Sequence, residues 1–87
     1  MSDTEKRRVG FLGILVEERK KSAPAVNEVL GQFGDLILGR MGLPCDKKKC
    51  WVITVILEAT TDEIGSLTGK LGKIGGVSVK SGLIPES

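Results

Sequence analysis

Cys45 and Cys50, with four residues between them, are the two soft nucleophiles of an 87-residue chain that contains no histidine. A zinc knuckle or a dithiol redox motif would need a two-residue spacing, and a structural metal would need a second pair or an imidazole. The sequence therefore reads as two unconnected, reduced thiols, with no disulfide and no tightly bound transition metal expected. Without His, neither a Ser/His/Asp nor a Cys/His arrangement can be assembled. The carboxylates Glu17, Glu18, Asp35, Asp62 and Glu63 fall in a connection, at a helix end and at a helix start, where the helix dipole accounts for acids. Gly69-Lys70-Leu71-Gly72-Lys73 matches a phosphate loop in composition alone and sits inside a helical pattern, where its N–H groups are already used. Lys47, Lys48 and Lys49 read as a solvated turn. The chain is expected to be a non-enzyme without a cofactor.

Such residues need a scaffold, and composition limits it. Thirteen Lys and Arg against eleven Asp and Glu give a net charge of +2, and 40% of residues are hydrophobic. One small domain with one core is implied, neither disordered nor strongly basic. Residues 1–8 read as a flexible tail, 9–84 as the domain and 85–87 as a C-terminal tail. No signal peptide or membrane span is recognisable, so a cytoplasmic location is expected.

Val9–Val16 is apolar on both parities and reads as a central strand. Glu17-Glu18-Arg19-Lys20-Lys21-Ser22 reads as a charged connection whose Ser22 is a plausible N-cap, and Val26, Val29, Leu30, Phe33, Leu36 and Ile37 form a helical stripe from Ala23 to about Ile37. Leu38–Leu43 reads as an edge strand ended by Pro44, and Cys50–Ala59 as a second central strand. Thr60 and Glu63 spell a capping box before a helix with Ile64, Leu67, Leu71 and Ile74 on one stripe; Gly75-Gly76 stops it, and Val77–Ile84 is the last strand. The order β-α-β-β-α-β predicts an α+β, ferredoxin-like plait: a four-stranded antiparallel sheet with both helices on one face.

Helices on one face leave the other open. Phe11 and Leu15 alternate with Leu12, Ile14 and Val16, while Val52 and Ile56 alternate with Trp51, Ile53, Val55 and Leu57. Whichever parity faces the helices, the open side is apolar, and a second subunit is the simplest cover. Phe11, Trp51 and Val52 are the expected interface residues, in a dimer or dimer of dimers. Gly65, Gly69 and Gly72 cluster beside the second helical stripe, suited either to close packing or to a small ligand near a subunit junction. Arg40, Lys70 and Lys73 are candidate contacts for an anion such as a carboxylate or phosphate.

Residues 9–80 resemble the family of regulators of the iron-only hydrogenase system. The similarity is densest in Asp62-Glu63-Ile64-Gly65, in Leu67-Thr68-Gly69-Lys70-Leu71-Gly72 and in Ile74-Gly75-Gly76-Val77-Ser78-Val79-Lys80, with a weaker echo at Val26-Asn27-Glu28-Val29-Leu30 and Gly42-Leu43-Pro44. The resemblance implies an ACT-like plait akin to the C-terminal domain of nickel-responsive repressors, in a homo-oligomer. Nickel sensing does not carry over, because those repressors bind metal through His and Cys. Two functions follow as expectations: a regulatory domain, ligand-sensing or oligomerising, in the transcriptional control of a hydrogenase system, or an adaptor with no small ligand. A ligand would be an amino acid or an anion. Nucleic acid would be met through a partner protein, if at all.

Overall fold

A computed structural model of the chain describes residues 6–45 and 49–85. The expectations for residues 1–5, for Lys47 and Lys48, and for residues 86–87 lie outside these. The elements are β1 (Arg8–Val16), α1 (Arg19–Gln32), a 3-10 turn at Gly34–Leu36, β2 (Ile37–Pro44), β3 (Trp51–Ala59), α2 (Thr61–Gly72) and β4 (Val77–Leu83).

The strands form one antiparallel sheet in the order β2-β3-β1-β4, so the two most apolar segments are central. This is the βαββαβ plait anticipated from the pattern. Register decides which parity is covered. Leu12 pairs with Val55, Ile14 with Ile53 and Val16 with Trp51, and these six residues are buried. They join Val26 and Leu30 of α1 and Ile64, Leu67 and Leu71 of α2 in one core. Burying each such side chain contributes about 1.5–3 kcal/mol, which is why the helical stripes, rather than helix propensity, hold α1 and α2 in place.

Helix α1 starts earlier than its cap chemistry suggests. Ser22 is not the N-cap: it lies inside the helix, 4% exposed, and its Oγ donates to the carbonyl of Gly75 at 3.0 Å. Glu18 is the cap residue, without a side-chain cap bond, and its carbonyl accepts from the N–H groups of Lys21 and Ser22. The charged stretch read as connection thus supplies the first turn, Arg19-Lys20-Lys21, with no acid in it. Pro24 follows inside the helix. Helix α2 keeps its expected start: the Glu63 N–H donates to Thr60 Oγ1 at 3.1 Å, and the Thr60 N–H donates to Glu63 Oε1 at 2.8 Å. It ends at Gly72, two residues before Ile74, and Gly76 turns the chain with φ of +76°, a conformation that favours glycine.

The expectation of two unconnected thiols is corrected. Cys45 and Cys50 form a disulfide, with Cα atoms 5.2 Å apart. The reason is the β2–β3 register. Pro44 pairs with Trp51, so the next residue on each strand faces the other, and the Cys45 N–H donates to the Cys50 carbonyl at 3.1 Å. A spacing that suits no metal knuckle thus sets the two cysteines opposite one another at the ends of β2 and β3, with their Cα atoms at a separation that a disulfide spans.

Candidate functional site

The open face of the sheet is built by the alternate parity of the same strands. Across it run Leu43–Val52–Leu15–Ser78, then Met41–Thr54–Gly13–Lys80, then Gly39–Ile56–Phe11–Gly82. Val9 extends the patch, and the N–H of Ile84 donates to the Val9 carbonyl at 2.8 Å. Phe11, Leu15, Val52 and Ile56 are 46, 39, 41 and 43% exposed, although they occupy the two central strands. Val9, Met41, Leu43 and Ile84 are exposed as well. A solvated antiparallel face would alternate with polar residues; here Thr54, Ser78, Lys80 and Glu58 interrupt an otherwise apolar surface. Where Gly13 lacks a side chain the face dips into a depression of about 380 Å³, walled by Leu15, Val52, Ser78 and Lys80.

Of the three residues expected at an interface, Phe11 and Val52 lie on this face. Trp51 lies on the other. It is 8% exposed in the helix-side core, its ring over Gly42, where a Cβ would stand 2.5 Å from the indole Nε1. The Arg19 guanidinium sits 5.1 Å from the Trp51 ring centroid, a cation–π contact between α1 and β3.

Gly65, Gly69 and Gly72 are exposed on α2, and a Cβ at any of them would meet nothing within 4 Å. They are not points of close packing within the chain. The three candidate cations have separate engagements. Arg40 donates to Asn27 Oδ1 at 2.9 Å, Lys70 stands 5.3 Å from the Phe33 ring centroid, and Lys73 is the C-cap residue of α2. None of these six residues lines the depression over Gly13 or the space between the start of α1 and the β2–β3 hairpin.

The larger cavity, about 670 Å³, is elsewhere, between the start of α1 and the β2–β3 hairpin. Arg19, Lys20, Lys21 and Lys49 line it with Glu18, Pro44 and Cys50. Sequence reasoning took the two basic stretches as separate connections. Their meeting was nonetheless encoded in the topology, because in a plait the β1–α1 junction and the β2–β3 hairpin emerge at one end of the sheet. A main-chain bond seals the junction: the Arg19 N–H donates to the Lys49 carbonyl at 3.1 Å. Among the described residues no group of three or more His, Cys, Asp or Glu could hold a metal ion.

At the opposite end Glu63 has its carboxyl held below the usual value of 4.5, first by the Thr60 N–H and then by Arg7, against the opposing effect of burial. The Arg7 guanidinium is 3.2 Å from Glu63 Oε2. Both groups are explained by the helix start they stabilise.

The family model for TM1266-like proteins, described as "Iron-only hydrogenase system regulator, putative", matches residues 8–81. Among solved structures the chain is similar to TM1266 of Thermotoga maritima, with 40% identity, a TM-score of 0.87, and coverage of 92% of this chain and 100% of that one. It is also similar to the ACT domain of a GTP pyrophosphokinase from Chlorobium tepidum, at 18% identity and a TM-score of 0.73, covering 86% of this chain and 97% of that one. The C-terminal domain of the MgtC protein from Mycobacterium tuberculosis follows at 15% identity and 0.70, covering 95% and 93%. The last two likenesses establish an ACT-like fold and nothing beyond it. No protein of curated function matches the sequence.

Proposed function

This chain belongs to the TM1266-like family of iron-only hydrogenase system regulators, and from that premise we propose that it is a regulatory domain working as a homo-oligomer, its subunits joined through the open faces of their sheets. The observation that carries the reading is the half-exposed apolar group Val52, Leu15, Ile56 and Phe11, on the two strands that occupy the centre of the sheet, with Leu43 of the edge strand β2 continuing it. Central strands are where a monomer hides its apolar surface most completely, so a face left bare there has a cover. A second copy is the fitting one. The same patch stands opposite itself across a two-fold axis, and the hollow over Gly13 offers room for a partner's side chain. Trp51 takes no part in this interface, being packed under the helices.

Such a domain regulates by transmitting occupancy or assembly, not by catalysis. Control of transcription would act through a partner chain that carries the nucleic-acid contacts. An adaptor role without any small ligand uses the same interface and differs only in having nothing to sense. Sedimentation equilibrium of the full chain at micromolar concentration is expected to return at least twice the 9.3 kDa of one chain. A single species at the monomer mass, persisting to millimolar concentration, overturns the proposal.

A further inference from the structure

We infer that Cys45 and Cys50 form a reversible dithiol–disulfide site whose oxidation state is transmitted to the cationic cavity at the start of α1. The inference is independent of the self-association proposed above and concerns the end of the sheet where β1 leads into α1 and β2 into β3, not its open face.

Position argues that the bond does something other than hold the sheet together. Strands β2 and β3 are already registered from Ile37 to Pro44, so the sheet does not depend on the sulfur bond, which acts one rung further out, where a single main-chain bond joins Cys45 to Cys50. A cross-link at that last rung leaves the registered strands as they are and restrains only the hairpin end beyond them, so either redox state is compatible with the plait. The site is also chemically accessible. Cys45 is half-buried and the more exposed residue of the pair, while Cys50 is 9% exposed and lines the cavity. Four cationic side chains, Arg19, Lys20, Lys21 and Lys49, line that cavity with a single acid, Glu18. A thiolate is the attacking and the leaving species in thiol–disulfide exchange, and positive charge around it stabilises it.

Transmission follows from covalent continuity. Lys49 adjoins Cys50, and its carbonyl holds the Arg19 N–H, the first amide of α1. Arg19 also stacks on Trp51, the residue after Cys50. With the disulfide intact, residues 45 and 50 are clamped and the Lys49 carbonyl is held in place for Arg19. With two thiols, the hairpin end relaxes, and the seal between α1 and the hairpin weakens with it.

The reaction balances as exchange with a low-molecular-weight disulfide such as glutathione disulfide. One thiolate of the pair attacks it and releases one glutathione thiol. The second thiolate then displaces the other, so two electrons and two protons leave the pair and two glutathione thiols are formed. The reverse reaction needs only excess thiol.

The test equilibrates the native full chain across glutathione to glutathione-disulfide ratios, quenches in acid and alkylates. Nitrogen-15 amide exchange is followed on the same samples. Both cysteines are expected to lose alkylation together as the disulfide fraction rises, without bound glutathione. The Arg19 amide should lose protection on reduction while the amides of Leu12 and Ile53 keep theirs. Cys45→Ser should show the weakly protected Arg19 amide at every ratio. The inference is overturned if the cysteines stay alkylatable throughout, if each carries glutathione separately, or if the bond resists excess dithiothreitol until the chain unfolds. Cycling of the bond with unchanged Arg19 exchange contradicts the transmission to the cavity.

Discussion

Replacing glycine by alanine should have opposite effects at two places in this chain, and the sign can be worked out beforehand. Gly69 lies in the interior of α2, and the added methyl would meet no atom within 4 Å. Nothing opposes the ordinary helix preference for alanine, so Gly69→Ala should stabilise by about 0.8–1 kcal/mol. Gly10 lies in β1, where a Cβ would stand 2.6 Å from the carbonyl oxygen of Gly82 and 2.6 Å from Leu83 Cδ2. Backbone cannot yield as a side chain does, and β4 must move away from β1. Gly10→Ala should therefore destabilise by about 1–3 kcal/mol. For a domain of this length each kcal/mol shifts the melting temperature by about 4–8 °C. Thermal melts followed by circular dichroism, at matched concentration and again at a tenfold dilution, would show one variant above the parent and one below. A fall in melting temperature for Gly69→Ala refutes the reasoning, because it means that the glycine face of α2 is covered. If that fall disappears on dilution, the cover is another subunit.

Three further outcomes follow from local contacts. Thr60→Ala removes the capping hydroxyl that receives the Glu63 N–H and should cost about 1 kcal/mol, measurable by urea denaturation with an unchanged slope. Because the carboxyl of Glu63 is held below 4.5, its contribution is fully present above that pH and is lost as pH falls through the lowered value; the stability difference between the parent and Glu63→Ala should narrow below pH 4.5 in acid titrations of the melting temperature. Ser22→Ala breaks the hydroxyl bond to the Gly75 carbonyl and should cost about 1 kcal/mol, with faster amide exchange in the first turn of α1; an unchanged melting temperature would show that the bond contributes nothing.

The sheet was readable from sequence because its central strands are continuous apolar runs and its second helix carries an explicit capping box. Both signals are local and agree with the global arrangement. The start of α1 was not readable, because Ser22 has the chemistry of a cap but spends its hydroxyl on Gly75, fifty-three residues away. A first turn made of three cations is unfavourable for the helix dipole, so no rule of local preference places it there. Parity was likewise hidden. Trp51 and Val52 are adjacent and both apolar, and only the register with Val16 and Leu15 tells which one the helices cover. The disulfide was missed because spacing was weighed against metal motifs and not against hairpin geometry. The cationic cavity was missed because its two halves are thirty residues apart and each alone looks like a solvated turn. For Gly65, Gly69 and Gly72 the cluster was legible, but what faces it depends on surfaces beyond one chain.

Val52→Asp, measured by sedimentation equilibrium beside a thermal melt, tests the proposed assembly most directly. Val52 sits on the open face, paired with Leu15 and Leu43, and no helix covers it. A carboxylate there remains solvated in a monomer but is buried without a partner in a sheet-to-sheet dimer, at a cost of several kcal/mol that an association of ordinary strength does not survive. The expected result is a cooperative melt that shows the plait intact, with the average mass falling from the oligomer to 9.3 kDa. An oligomer of unchanged mass would contradict the account, since the subunits would then be meeting elsewhere.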